Sequence, residues 1–179
     1  MKVYSLIGSG YDSNIFVIPG KNTTVIDTGT GLHKDHVLSQ IAEHIDLTTI
    51  SQIILTHEHY DHSGGVKQFF EATNKKAIVI AHKKAAIKIE SGESIFARLI
   101  GGNMPKMPVN QKLSGEETIQ IGNKEFSVIS TPGHTPGCIC LYNAETKTLF
   151  SGDTIFANGS FGRTDLPGGN SKQLKQSIK

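Results

Sequence analysis

Short apolar runs bounded by Gly, Ser, Asp and Pro-Gly predict β-strands over residues 3–7, 14–18 and 23–27. The period then lengthens. Val37, Leu38, Ile41 and Ile45 share one helical face and predict a helix over 33–45. Residues 50–55 read as a buried strand that runs into a polar segment, and Val66, Phe69 and Phe70 predict a helix after Ser63-Gly64-Gly65, with Ser63 as its cap. A strand over 77–81 and a helix over 83–89 follow. Residues 91–113 break the pattern. Ser91-Gly92-Glu93 caps a short helix to Leu99, and the stretch from Gly101 to Pro108 then ends regular structure. That segment has two readings: a lid over a site, with Met104 and Met107 as adaptable apolar contacts, or a crossing between two halves. Strands return over 118–121, 125–130, 138–142 and 148–150, with a hairpin turn at 143–147. A Gly-rich stretch, 152–169, leads to a helix over 171–178 that begins at Ser171 and is still running at the last residue. Two βα-type halves of this kind predict an α/β fold: two sheets face to face with helices outside both, four layers in the order αββα.

With 179 residues, one core and a single domain over 1–179 are expected. Apolar content of 37% and charged content of 19% are those of a globular protein. The net charge of +2 comes with scattered lysines, which argues against a nucleic-acid or membrane footprint. No apolar run approaches the roughly 20 residues of a membrane span, and no signal or lipidation motif is visible. A cytoplasmic protein, monomer or homodimer, is the expectation. Cys138 and Cys140 are too close in sequence for an unstrained disulfide and lack redox or zinc spacing, so they read as small buried apolar residues.

The polar segment carries the chemistry. Thr56-His57-Glu58-His59-Tyr60-Asp61-His62 holds three imidazoles and an aspartate within six positions, and no folding requirement asks for that. Imidazole and carboxylate are the usual ligands of zinc, iron or manganese at hydrolytic sites. His57 and His59, two apart, point to one face of extended backbone, whereas the adjacent Asp61 and His62 suit a second centre. Two further loops at strand ends join them: Thr131-Pro132-Gly133-His134-Thr135-Pro136-Gly137 and Ser151-Gly152-Asp153-Thr154. Alone, His134 and Asp153 read as turn residues. Beside the histidine run they read as ligands.

These motifs, with Val25-Ile26-Asp27-Thr28-Gly29 and Gly162-Arg163-Thr164-Asp165-Leu166-Pro167-Gly168-Gly169, resemble the metallo-β-lactamase fold superfamily, and within it the glyoxalase II-like branch of hydroxyacylglutathione hydrolases. The resemblance implies a first metal held by His57, His59 and His134, a second by Asp61 and His62, and Asp153 bridging them. It also implies a last histidine for the second site after the terminal helix. No histidine follows His134. A chain truncated at its C-terminus is the favoured explanation, and an incomplete second site the other.

In the related persulfide dioxygenases, positions matching His57, His134 and Asp153 hold a single iron. The implied activity is attack of metal-activated water, oriented by Asp61, on a small acyl thioester of the hydroxyacyl-glutathione kind. The cofactor is then one or two zinc ions, with iron or manganese as alternatives, and a lactonase or β-lactamase use of the fold is weaker. No Gly-x-Ser-x-Gly nucleophile motif competes with water.

Asp27 is expected behind the ligands, or as a local turn cap. Glu58 points away from them and reads as solvated. Tyr60 flanks the pocket or packs. Arg163 clamps a substrate carboxylate or pairs with Asp165, the pair being the better reading. Phe156 and Phe161 line an apolar wall or enter the core. His33, His36, His44 and His82 read as structural or solvated.

Overall fold

The computed structural model describes residues 1–179 apart from the side chain of Ile95. The first sheet contains β1 (Tyr4–Leu6), β2 (Ile15–Ile18), β3 (Thr24–Ile26), β4 (Gln52–Leu55), β5 (Ile78–His82) and β6 (Gln111–Leu113), side by side in chain order. β1–β2 and β2–β3 are antiparallel, and β3 to β6 run parallel. The parallel strands are joined through α1 (Lys34–Ala42), α2 (Tyr60–Ser63), α3 (Val66–Ala72), α4 (Lys83–Ser91) and α5 (Ile95–Leu99). The second sheet is an antiparallel meander of β7 (Thr118–Ile121), β8 (Lys124–Ser130), β9 (Ile139–Asn143) and β10 (Thr148–Phe150), followed by α6 (Ser171–Ser177).

The alternation of side chains along a strand divides the apolar residues of the first sheet between two cores. Val25, Ile53, Leu55, Val79 and Ala81 face the helices, with Ile41, Val66, Phe69 and Ile89. Ile26, Ile54 and Ile80 face the second sheet, against Ile121, Phe126, Val128, Ile139 and Leu141. This is the expected αββα order, with one difference in the outer layer. α6 docks on the loop before β9 through Leu174, and Ile129 and Leu149 on the outer face of the second sheet stay exposed. The second half is therefore less fully flanked by helix than the pattern predicts. Among the described residues no helix is long and apolar enough to cross a membrane.

Several local expectations shift. Ser63 does not cap α3: it closes α2, its hydroxyl donating to the carbonyls of Glu58 and His59. Ser94 caps α5 instead of residues 91–93, and Asn170 caps α6 instead of Ser171. In the 91–113 segment Met104 and Met107 are buried in the helix-side core, so they anchor a packed crossing and do not line a lid. β6, which the sequence pattern does not predict, is the end of that crossing pairing onto β5.

Candidate metal centre

All six expected ligands follow strand ends, four of them in loops and Asp61 and His62 in the short helix α2. β4 delivers Thr56 through His62, the loop after β8 delivers His134, and the turn after β10 delivers Asp153. Parallel neighbours β3 and β4 end together, which places Asp27 beside Thr56. Asp27 has φ 57°, a left-handed conformation that costs a non-glycine residue energy unless its surroundings fix it. Here they do. Its Oδ1 accepts from the Thr56 amide at 2.8 Å, and its Oδ2 accepts from the Thr56 hydroxyl and from His62 Nδ1, both at 2.8 Å. One buried carboxylate thus holds the base of the histidine loop and one of its ligands.

These partners assign the tautomers. The Thr56 hydroxyl hydrogen is committed to Asp27, so its oxygen accepts from His57 Nδ1 at 3.1 Å. His62 Nδ1 donates to Asp27, and His134 Nδ1 donates to the Arg163 carbonyl at 2.6 Å. In all three rings Nε2 is left facing the interior of the site. His57 Nε2 is fully buried with no hydrogen-bond partner, an unmet acceptor of a kind native interiors seldom keep.

Two groups of donors result, each with its ligand atoms within 4.8 Å of one another: His57, His59 and His134, and His57, His62 and Asp153. His59 Nδ1 lies 2.8 Å from His134 Nε2. Asp153 reaches both halves, with Oδ1 3.2 Å from His62 Nε2 and Oδ2 3.4 Å from His134 Nε2. Asp61 Oδ2 stands slightly further off, 3.6 Å from His62 Nε2. Asp61, Asp153 and His59 are the partly exposed members, so the site opens to solvent on their side.

The electrostatics of the two groups differ. Burial pushes His57 well below its ordinary value, and the neighbouring rings of His62, His59 and His134 push the same way. Burial, then His134 and His62, bring His59 down to about 3. For His62 burial also acts downward, but Asp27, Asp153 and Asp61 outweigh it and hold this imidazole well above its ordinary value. Burial raises Asp61. At Asp153 burial acts upward too, but the hydrogen bond and charge of His62 win and the carboxyl lies lower than usual.

The donor set fits a metal. Neutral inward nitrogens with one orphaned acceptor are what a cation satisfies, and the second group adds the Asp153 carboxylate, with Asp61 beside it. The site residues could hold one ion between His57, His59 and His134, and another beside His62, Asp61 and Asp153.

Other residues depart from the sequence reading. Tyr60 does not flank the site: it packs into the helix-side core, where its hydroxyl meets the Asn103 backbone. Glu58 does point away from the ligands, yet it is not solvated. It is largely buried against the His134 loop, accepts from Thr135 Oγ1 at 2.8 Å, and has its carboxyl raised by burial. Arg163 forms a two-bond pair with Asp165 at 2.7 and 2.6 Å, both exposed, and meets the site through its carbonyl. Phe161 and Phe156 stay exposed instead of entering the core.

Gly162 lies so close to Asp153 and His134 that a Cβ there would strike the Asp153 carbonyl. His44 stacks on Tyr4, His82 caps α4, and His33 contacts Asp12. Thr56 and Thr135, which sequence reasoning gave no role, were marked only by position, each next to a ligand at a strand end or turn.

Residues 8–179 match the metallo-beta-lactamase superfamily. A probable metallo-hydrolase of Methanocaldococcus jannaschii is 34% identical over 98% of this chain and 82% of its own length. The hydroxyacylglutathione hydrolase GloC of Haemophilus influenzae is 32% identical over 89% of this chain and 73% of its own. Among solved structures, the BLEG-1 B3 metallo-beta-lactamase superposes with a TM-score of 0.83 at 30% identity, covering 99% of this chain and 83% of that one.

Proposed function

The chain belongs to the metallo-beta-lactamase superfamily, and we propose that it is a metal-dependent hydrolase of small acyl thioesters of the hydroxyacyl-glutathione kind. The observation that carries the reading is the convergence of His57, His59, His134, His62 and Asp153 around the unpartnered His57 Nε2. Likeness to a hydroxyacylglutathione hydrolase at 32% identity supports the substrate class. Zinc suits the three-nitrogen group, with iron or manganese as alternatives.

A bound divalent ion would supply Lewis acidity and make water acidic near neutral pH. The chain's own residues do the rest. Asp61, at the solvent-open side, accepts a hydrogen from the attacking water and orients it. Asp153 faces His62 and His134 together and keeps the two halves in register. Asp27 holds His62 and, through Thr56, His57 in the tautomers that present Nε2.

Among the described residues, Cys138, Cys140 and Ser63 do not compete as nucleophiles. Burial pushes the Cys138 thiol up to about 12 and raises Cys140, and the Ser63 hydroxyl is committed to two carbonyls. The departing thiolate, with an ordinary thiol pKa of about 8.5, needs no general acid.

The test is thiol release from a hydroxyacyl-glutathione by purified, metal-loaded protein. Turnover is expected, with loss of kcat and retention of the ion at the three-histidine group in Asp61→Asn. Turnover of a β-lactam or lactone without thiol release would overturn the reading. A second reading rests on one distance. Asp153 Oδ2 lies 3.4 Å from His134 Nε2, so His57, His134 and Asp153 also come together as two histidines and a carboxylate, the set of mononuclear iron oxygenases. Oxygen uptake with a persulfide, from protein holding one iron per chain, would favour it.

A further inference from the structure

The three-histidine group is split between two loops far apart in sequence. His57 and His59 come from the loop after β4, and His134 from the loop after β8. The distance between His59 Nδ1 and His134 Nε2 is therefore set by whatever joins those loops. Two ties do so. One is backbone: the Ile139 amide donates to the Thr56 carbonyl at 3.0 Å. The other is a side-chain tie placed beside the ligands themselves. Glu58 lies between His57 and His59, and Thr135 follows His134. The Thr135 hydroxyl donates to Glu58 Oε2 at 2.8 Å.

Both ends of this second tie are fixed. Thr135 Oγ1 also accepts from the Gly137 amide at 3.1 Å, so its lone pair and its hydrogen are both directed. The Ser63 hydroxyl holds the carbonyls of Glu58 and His59 at 3.1 and 2.9 Å. A Cβ at Gly137 would lie 2.8 Å from Glu58 Oε2 and 2.6 Å from the Ala85 amide nitrogen, so the Gly137 turn packs closely on both the carboxylate and the first turn of α4. The division of labour is visible in the contacts: His57 and His59 turn into the site, and Glu58 between them reaches the loop that carries His134.

We propose that Glu58 and Thr135 form a positioning pair that sets the spacing of His134 against His57 and His59, and so tunes metal affinity at the three-histidine group. Neither residue touches substrate. The inference rests on the metal-site reading above and is independent of which acyl compound is cleaved.

The experiment measures zinc affinity of the full chain by chelator competition, and the visible spectrum of the cobalt form, for Glu58→Ala, Glu58→Gln, Thr135→Val and the Glu58→Ala/Thr135→Val double variant. Melting curves of the metal-free proteins run beside them. Glu58→Ala and Thr135→Val are each expected to weaken the tighter zinc site by roughly 10- to 100-fold, the usual effect of removing a partner behind a ligand shell. Glu58→Gln, which still accepts from Thr135, should stay close to the parent, and the double variant should be no worse than the worse single one. If Glu58→Ala does not fold, Thr135→Val, of nearly the same shape as the parent side chain, decides alone. Parent-like zinc affinity and cobalt spectrum in Thr135→Val, additive losses in the double variant, or Glu58→Gln as damaging as Glu58→Ala would each overturn the proposal. Absence of thioesterase activity in the parent would sink the functional reading and leave these affinities to judge the pair.

Discussion

His57, His59 and His134 meet as buried or half-buried rings, and burial lowers the proton affinity of His57 and His59, whereas His62 stands among Asp27, Asp61 and Asp153. In the first half His59 Nδ1 and His134 Nε2 face each other at 2.8 Å, and His57 Nε2 is left with nothing to accept from. The second half already contains its own counter-charges, so a proton on His62 serves the same carboxylates that a cation would. Two neighbouring groups of one centre thus relate differently to a metal. The first should load without expelling a proton near neutral pH. The second should exchange the His62 proton for the ion.

The largest effect should come from removing a ligand of the first half. His134→Ala is expected to lose the tightly held ion and lower kcat/KM by well over about 100-fold, since even outer-shell partners are worth 10- to 100-fold. His62→Ala should keep one ion per chain by metal analysis. If the two variants lose metal in the opposite order, the contrast fails.

Asp27→Ala removes the residue the halves share. A buried carboxylate with three bonds disappears and leaves His62 facing an empty space, so chemical denaturation should show a loss of about 3 kcal/mol or more. Zinc affinity should fall at both halves together.

The metal-free protein should also show the contrast in pH. His59 has a folded value of about 3 against an ordinary 6.5, so its contribution to stability is complete above 6.5 and is lost as the pH falls toward 3. His62 is raised, so its contribution is complete below 6.5 and is lost as the pH climbs through its higher folded value. Melting temperature against pH should therefore show a shallower acid limb in His59→Gln, where His57 still contributes, and a shallower alkaline limb in His62→Gln. Identical profiles in the two variants would remove the electrostatic distinction. The smallest effect belongs to Arg163→Ala. Its guanidinium is exposed and paired with Asp165, while its carbonyl remains on His134, so melting temperature and KM should stay at the parent values.

Much of this arrangement was legible in the chain. Short continuous apolar runs and period-3.6 patterns predicted most strands and helices, because the central strands of the first sheet are buried on both faces and its helices are amphipathic. The ligands stood out because histidines cluster where folding gives no reason for them. What stayed hidden depends on partners distant in sequence. The spacing of Glu58 said which way it turns, not that a loop 77 residues later receives it. Tyr60 sits amid ligands in sequence, yet as the first residue of α2 it turns into the core. Arg163 matters through its carbonyl, which no side-chain pattern reveals. β6 is a three-residue edge strand defined by its neighbour, with too few positions to show alternation.

The most direct test of the centre is the metal content of the purified full chain and of His134→Ala, after removal of loosely bound ions. At least one zinc, iron or manganese ion per parent chain, absent from His134→Ala, is the predicted result. A parent chain that holds no ion under conditions in which it is folded would contradict the account.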